Sequence, residues 1–188
     1  MAARAAHPPP PCHTRPAPCG GSRTPSPTRT TRRPTTRRTS VSDGTVYVSG
    51  LGPSTTESAV FAVSATTGRR LWEVRESGIF FVPPTATGET VLVSNLMGSE
   101  QNILRALDAK TGRLIWKRHL ADDSLTRPVT ADGTVYVVGD GVLYALRADT
   151  GRTLWQYATK TSVRAAPLVV GDTVYLSSST GKVYAIRA

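Results

Sequence analysis

The chain repeats one short phrase at intervals of about 40 residues, and this repeat limits the available folds more than any other feature. The phrase reads Thr-Val-Tyr-Val or a close variant and follows a turn that contains glycine. Its four threonines are separated by 45, 44 and 39 residues; they are Thr45, Thr90, Thr134 and Thr173. Such a period, built from short strands, is typical of β-propellers and other β-repeat arrays.

A second phrase, Ala-x-x-x-x-x-Gly-x-x-x-Trp, recurs at the same interval, and each copy carries Thr-Gly at its centre. Glycine at this place allows the positive φ that a tight turn between two strands requires. The repeat therefore predicts four antiparallel strands per unit. In the third copy the strands are expected near 128–130, 134–138, 142–147 and 153–157. No stretch shows the apolar period of a helix, which excludes a helical repeat.

Each copy places one tryptophan at the same point of its fourth strand. A tryptophan can bury about 150–250 Å2, so one per unit in register predicts a packing anchor between neighbouring units. The alternative is that the three rings stack on a ligand.

Composition divides the chain at about residue 40. Residues 1–40 contain eight arginines and no acidic residue, whereas the rest contains 15 basic and 13 acidic residues, so most of the net charge of +10 belongs to the tail. The tail is rich in Pro, Arg and Thr and is predicted to be disordered. It is a candidate for contact with acidic polymers or lipids, or else a solvated linker. It has no aromatic residue for base stacking, so specific nucleic-acid binding is not expected.

The body, residues 41–188, is predicted to be an all-β, partial β-propeller with an open ring of three and a half to four blades. The expected repeats are 41–78, 79–122, 123–161 and 162–188. The fourth copy stops before a Thr-Gly turn and a tryptophan strand. Open blade edges invite self-association. Two half-rings could therefore close as a dimer, or the sequence could be part of a longer reading frame.

The second phrase resembles the tryptophan-docking motif of the pyrroloquinoline-quinone (PQQ)-type β-propeller repeat, written Ala-x-Asp-x-x-Thr-Gly-x-x-x-Trp. This repeat occurs in quinoprotein dehydrogenases, in the propeller lipoprotein of outer-membrane assembly and in sensor domains of bacterial Ser/Thr kinases. The first and third copies carry Ser64 and Arg147 in place of the aspartate. The resemblance implies a blade-docking role for twelve residues: Ala62, Gly68, Trp72, Ala106, Asp108, Thr111, Gly112, Trp116, Ala145, Thr150, Gly151 and Trp155.

The residues give little support for catalysis. A quinoprotein site needs calcium, which takes six to eight oxygen ligands, but the acidic residues of the body lie mostly in turns, where Asp bonds to nearby backbone. His119 is the only histidine of the body, and Cys12 and Cys19 both lie in the tail. We expect no catalytic residue, no metal, no PQQ and no calcium. The predicted function is a non-catalytic binding or scaffold module. The alternatives are a sensor domain of a Ser/Thr kinase and a fragment of a PQQ-dependent oxidoreductase.

The loops at 50–58 and 95–102 are the longest connections between second and third strands. They contain Leu51, Leu96 and Met97, which are candidate contacts with a protein or cell-envelope partner; ordinary loop variation is the alternative. A location in the cell envelope follows from the resemblance alone. No apolar run reaches the ~18 residues of a spanning helix, and Pro8–Pro11 stands where a signal peptide would have its apolar core.

Overall fold

A computed structural model describes residues 38–51, 57–77, 82–94, 103–120 and 125–188. The side chains of 38, 51, 57, 76 and 77 are not described. The chain divides into two units, residues 1–31 and 32–188, and every described residue belongs to the second. The predicted tail therefore lies outside the described residues, except for its last three.

The described residues form fifteen strands in four antiparallel sheets and contain no helix. Each sheet is one blade, with its strands in chain order. Blade 1 comprises β1 (Arg38–Ser42), β2 (Thr45–Leu51), β3 (Glu57–Ser64) and β4 (Arg70–Ser77). Blade 2 comprises β5 (Thr85–Thr87), β6 (Thr90–Ser94), β7 (Ile103–Asp108) and β8 (Leu114–His119). Blade 3 comprises β9 (Val129–Ala131), β10 (Thr134–Gly139), β11 (Val142–Arg147) and β12 (Thr153–Ala158). Blade 4 comprises β13 (Leu168–Val170), β14 (Thr173–Ser177) and β15 (Val183–Arg187).

The predicted fold is confirmed, and the four strands expected in the third copy agree with β9 to β12 within one residue at each end. One boundary differs. The first blade begins at Arg38 rather than after residue 40, because Thr39 pairs with Val48 and Ser40 with Tyr47. Residues 38–40 were assigned to the tail because of its basic composition, although Thr39 is β-branched and fits a strand.

Side-chain alternation places each β10 residue between two neighbouring blades. Val135 and Val137 pack with blade 2, whereas Tyr136 and Val138 pack with blade 4. Because successive side chains of a strand point to opposite faces, a run of large apolar residues can fill both faces of one sheet. The strand phrase of the repeat therefore carries large apolar residues on both faces of the sheet, rather than polar residues on one of the two faces.

Three apolar clusters hold the array together, one at each junction between successive blades. The outward faces of the first and last blades are less covered. Val41 of blade 1 is 67% exposed, and Leu168 and Val183 of blade 4 are 61% and 73% exposed. Within the described residues the array is thus an open partial propeller with an apolar face at each end.

Candidate functional site

Each of the first three repeats carries a tryptophan on its outer strand, directly opposite an alanine of the neighbouring strand. The pairs are Ala62 with Trp72, Ala106 with Trp116, and Ala145 with Trp155. All three alanines are fully buried, and the register shifts just after each of them. A small residue opposite the ring leaves space for the indole to lie across the face of the blade.

The indole of Trp72 bonds blade 1 to the β7–β8 turn of blade 2. Its Nε1 donates to the backbone carbonyl of Ala109 at 2.9 Å, and the Tyr47 hydroxyl approaches the same oxygen at 3.3 Å. The rings of Tyr47 and Trp72 lie 5.9 Å apart with a tilt of 42°. Burial raises the pKa of the Tyr47 hydroxyl, which keeps it protonated and able to donate.

Trp116 repeats this contact one blade further along. Its Nε1 donates to the Ala148 carbonyl at 2.8 Å, and Arg118 on the same strand donates to the Gly151 carbonyl at 2.9 Å. Trp155 packs in the cluster between blades 3 and 4, with its ring 6.0 Å from that of Tyr136. The structure therefore places all three tryptophans at blade junctions.

The glycines of the Thr-Gly turns form the surface on which two of the indoles rest. A Cβ added to Gly112 would lie 2.8 Å from the Trp72 ring, and one added to Gly151 would lie 2.6 Å from the Trp116 ring. Both glycines have positive φ, at 73° and 66°. Each of these two sites therefore requires glycine for two reasons: the turn needs a positive φ, and the close approach of the ring leaves no room for a Cβ.

Asp108 stabilises the turn that receives Trp72. Its carboxylate accepts bonds from the Thr111 hydroxyl and the Thr111 backbone N–H, both at 2.7 Å, and from the Lys110 N–H at 3.1 Å. The hydroxyl bond, followed by the backbone bonds, lowers the pKa of the Asp108 carboxyl. Asp108 acts within the turn, which is a structural role.

The other two turns carry a different residue at the position of Asp108 and are stabilised by different hydrogen bonds. In blade 1 the Ser64 hydroxyl accepts the Thr67 N–H at 3.2 Å, which is one of the bonds that Asp108 makes. In blade 3 Arg147 pairs with Asp149 at 2.6 Å, and Thr150 donates to Asp149 at 3.1 Å. The Arg147 bond lowers the pKa of the Asp149 carboxyl.

The predicted partner-binding residues are largely outside the described residues. Leu96 and Met97 lie outside the described residues, and only the backbone of Leu51 is described, where it ends β2 opposite Ser58. Because the strands are antiparallel, the β10–β11 turn, the β14–β15 turn and the connection between blades 3 and 4 lie on one side of the array. We call this side the loop side.

A polar cleft of about 350 Å3 on the loop side was missed by the sequence reasoning. It lies between the β10–β11 turn and the blade 3–4 connection and is lined by Asp140, Gly141 and residues 160–164. Lys160 and Arg164 supply positive charge and are exposed. The sequence signal that could have revealed this cleft is a pair of cationic residues, Lys160 and Arg164, within a five-residue segment that otherwise contains Thr, Ser and Val.

Arg105 is a second residue that the sequence reasoning missed. It lies on β7, is 2% exposed and occupies the place held by Phe61 and Tyr144 in blades 1 and 3. A buried guanidinium requires a partner, and Arg105 has one.

Several carboxylates of the described residues bond to neighbouring protein groups. They contain no group of three His, Cys, Asp or Glu side chains that could hold a metal ion. Asp108 and Asp149 are engaged within their own turns, and Glu73 pairs with Arg70 and Arg75 on an outer strand. Among the residues that the structure describes, no helix is both long and apolar enough to cross a membrane.

Comparison with known proteins decides the family. The family model described as "Outer membrane protein assembly factor BamB" matches residues 56–188. The chain belongs to this family. The match covers blades 2 to 4 and the last two strands of blade 1, β3 and β4, and it confirms the predicted PQQ-like propeller repeat.

Individual BamB relatives agree with this assignment over part of their length. The outer membrane protein assembly factor BamB of Yersinia pestis is 30% identical over an alignment that covers 48% of this chain and 27% of that protein. The crystal structure of BamB from Moraxella catarrhalis has a TM-score of 0.65 at 22% identity, covering 77% of this chain and 43% of that one. The chain thus spans less than half the length of these relatives.

A quinoprotein shares the same fold. The quinohemoprotein alcohol dehydrogenase of Comamonas testosteroni superposes with a TM-score of 0.59 at 18% identity, covering 75% of this chain and 28% of the enzyme. Identity this low shows the fold alone, so the activity of that enzyme does not transfer.

Proposed function

We propose that the chain is a non-catalytic β-propeller module that binds a protein partner in the cell envelope. The observation that carries this proposal is how the repeated side chains are used. Two indoles, two turn carboxylates and one outer-strand carboxylate bond within the blade array; they belong to Trp72, Trp116, Asp108, Asp149 and Glu73. Membership of the BamB family supports both the scaffold role and the envelope location, because its curated member is named as an outer membrane assembly factor.

The proposed recognition surface is the loop side. The strand ends that flank the loops predicted to contain Leu51, Leu96 and Met97 lie on this side, together with the cleft that Lys160 and Arg164 line. Loops on a rigid scaffold are where binding residues collect. The opposite side consists of tight turns, and two of them, at Gly112 and Gly151, are occupied by blade packing. A partner with acidic and apolar groups fits the loop side best.

A photo-crosslinking experiment tests this proposal. A photoreactive amino acid replaces Lys160 on the loop side or, as the matched control, Arg152 at the opposite ends of the same strands; both residues are exposed. The full chain is irradiated with a detergent extract of the cell envelope of the source cells. We expect a discrete adduct from position 160 that excess unlabelled chain suppresses, and none from position 152.

A second pair of changes tests the charge of the surface. Lys160→Glu combined with Arg164→Glu should reduce the yield of the adduct from a photoreactive amino acid placed at Ser162, which is exposed and lines the same cleft. Equal yields at positions 160 and 152, or a yield at 162 unaffected by charge reversal, would contradict the proposed recognition surface.

A PQQ-dependent oxidoreductase fragment is the second candidate, favoured by the fold shared with the alcohol dehydrogenase. Titration of the full chain with PQQ and Ca2+ should give no saturable absorbance change if the binding module is correct. A saturable change would favour the enzyme. A kinase sensor domain would be the same kind of binding module, and that assignment stays a prediction.

A further inference from the structure

The outer strands of the first three blades differ in charge. β4 and β8 each contain several charged residues, among them Glu73 and Lys117, which directly follow the tryptophan. β12 carries Gln156 at the same place and contains no charged residue. Charged side chains on an edge strand hinder its pairing with another chain. Among these three outer strands, β12 is therefore the one without this protection.

β12 is also accessible along its length. Within the part of the chain that the structure describes, it pairs with β11 on one side and with no strand on the other. Five of its six residues are exposed, and Leu154 and Tyr157 keep 44% and 41% of their surface in water. The strand thus offers both an open backbone edge and apolar side chains for cross-strand contacts.

The backbone of Gln156 directs its polar groups away from β11. Just past the end of β12, the Thr159 N–H donates to the Gly141 carbonyl at 2.8 Å, and the pairing of β12 with β11 is regular up to this point. Residues of an antiparallel strand alternate between those that bond to the neighbour and those that point away from it. Gln156 and Ala158 therefore present their N–H and C=O groups to an added strand.

The open edge leads directly into the polar cleft of the loop side. Thr159 is buried, its hydroxyl donates to the Thr161 carbonyl at 2.8 Å, and the Tyr184 hydroxyl donates to the Thr159 carbonyl at 2.8 Å. Lys160 lies within this bonded segment and has a φ of 56°, a conformation that persists only where the surroundings enforce it. The segment therefore holds the cations of the cleft at one end of the β12 edge.

Cations flank the uncharged edge at both ends. Arg152 directly precedes β12, Lys160 and Arg164 follow it, and all three are exposed. Asp140 also lines the cleft and is engaged in an interaction of its own. Complementary charge sets which partners an interface accepts. The two ends of the edge therefore favour a segment that has acidic residues on both sides of an uncharged core.

We propose that the outer edge of β12 binds an extended segment of a partner protein, which adds antiparallel to it as a further strand of blade 3. The core of the segment is uncharged and matches the six residues of β12. Its acidic ends lie near Arg152 and near the pair formed by Lys160 and Arg164. Strand addition of this kind obtains affinity from main-chain hydrogen bonds. The inference rests on the proposed function, because the segment belongs to the partner proposed above and ends beside the same cleft.

A second copy of this chain fits this edge poorly. A twofold pairing of two β12 edges about Gln156 would place Arg152 of each copy opposite Lys160 of the other. Like charges directly opposite each other destabilise a strand pair. A segment with acidic ends would replace this repulsion by attraction at both ends, so the charges favour a partner protein over self-pairing.

Titration with a strand peptide tests the proposal. The probe is a fluorescently labelled peptide with blocked ends and the sequence Asp-Asp-Thr-Val-Thr-Val-Thr-Val-Asp-Asp. We expect saturable binding to the full chain by fluorescence anisotropy, with a Kd below about 1 mM. A probe with Lys in place of every Asp reverses the charge of the ends, and a probe with N-methylated core amides keeps the charge but cannot form the ladder. Each change should weaken binding about tenfold or more.

A matched pair of protein variants locates the site. Gln156→Pro removes the N–H that points away from β11, a place where an edge strand tolerates proline, and should weaken probe binding about tenfold or more. Lys117→Pro makes the same change at the equivalent place of β8 and should leave binding within about twofold. Circular dichroism of both variants checks that they fold.

Four results would overturn the proposal. They are no saturable binding to the wild type up to about 1 mM probe, equal affinity for the N-methylated probe, equal affinity for the Lys probe, and equal effects of the two proline variants. Sedimentation of the chain without the probe decides the occupant. A dimer of the wild type that Gln156→Pro abolishes would place a second copy at this edge, and the proposed partner would then be wrong.

Strand addition and the proposed function fail in different experiments. An envelope adduct from position 160 whose yield Gln156→Pro leaves unchanged would overturn strand addition, while the binding module would stand. Probe binding that responds to Gln156→Pro as expected, without any adduct from position 160, would support strand addition and contradict the proposed envelope partner.

Discussion

Gly151→Ala tests whether the close approach of indole and glycine stabilises the array. Its added Cβ would lie 2.6 Å from the Trp116 ring, whereas a Cβ on Gly133 would meet nothing within 4 Å. Both glycines have positive φ, at 66° and 73°, so both substitutions share a backbone strain of about 1–2 kcal/mol. Gly133→Ala is therefore the matched control for the strain alone.

The collision adds its own cost at Gly151. Overpacking costs about 1–3 kcal/mol, and moving the indole out of reach of the Ala148 carbonyl loses a hydrogen bond worth about 1 kcal/mol. We therefore expect Gly151→Ala to lower the free energy of unfolding by about 2–4 kcal/mol more than Gly133→Ala does. Urea unfolding of the full chain, monitored by circular dichroism, measures this difference. The dependence of the unfolding free energy on urea concentration should be the same in both variants.

A double-mutant cycle separates the collision from all other effects. In a Trp116→Ala background the ring is absent, so Gly151→Ala should cost no more than Gly133→Ala does in the same background. The coupling between the two positions should then reach about 2 kcal/mol. Additive effects, or equal costs for Gly151→Ala and Gly133→Ala in the wild type, would refute the reasoning that the indole rests on this glycine.

Three further predictions follow from individual contacts. Because hydrogen bonds from Thr111 lower the pKa of Asp108 in the fold, the stability they contribute is present above the ordinary aspartate pKa of about 4 and is lost as pH falls below it. Asp108→Asn should flatten that decline in the urea midpoint, and an unchanged decline would contradict this. Tyr47→Phe removes a hydroxyl bond of 3.3 Å and should cost at most about 1 kcal/mol in urea unfolding; a larger loss would mean that the hydroxyl does more than bond one carbonyl. Leu168→Lys with Val183→Lys should reduce self-association in sedimentation, because both side chains are more than half exposed on one apolar face; an unchanged sedimentation profile would exclude this face from any association.

Much of the fold was predictable because each local sequence pattern occurs in several copies of the repeat. Strand phrases such as Thr134–Val138 combine β-branched residues with a preceding glycine turn, and both signals are local. The Thr-Gly turn predicted that the fourth strand of a unit pairs with the third, because a tight turn joins them. These rules act over a few residues, so the positions of strands followed from spacing alone.

Other features depend on contacts between distant residues and left no local signal. The start of β1 at Arg38 depends on pairing with Ser49, which the basic composition of the tail obscured. The cleft beside Lys160 exists because a blade connection passes close to the β10–β11 turn, where the Gly141 Cα lies so near the Thr161 carbonyl that a Cβ would come within 2.6 Å of it. Spacing along the chain does not show such proximity.

Gly112 and Gly151 show how one repeated motif forms successive blade junctions. Both copies hold an indole, and an added Cβ would lie 2.8 or 2.6 Å from the ring. Gly68 has the same backbone geometry and the same turn bonds without a ring among the described residues. The Thr-Gly turn therefore forms from hydrogen bonds within a few residues, and the indole rests on a turn whose geometry does not depend on it.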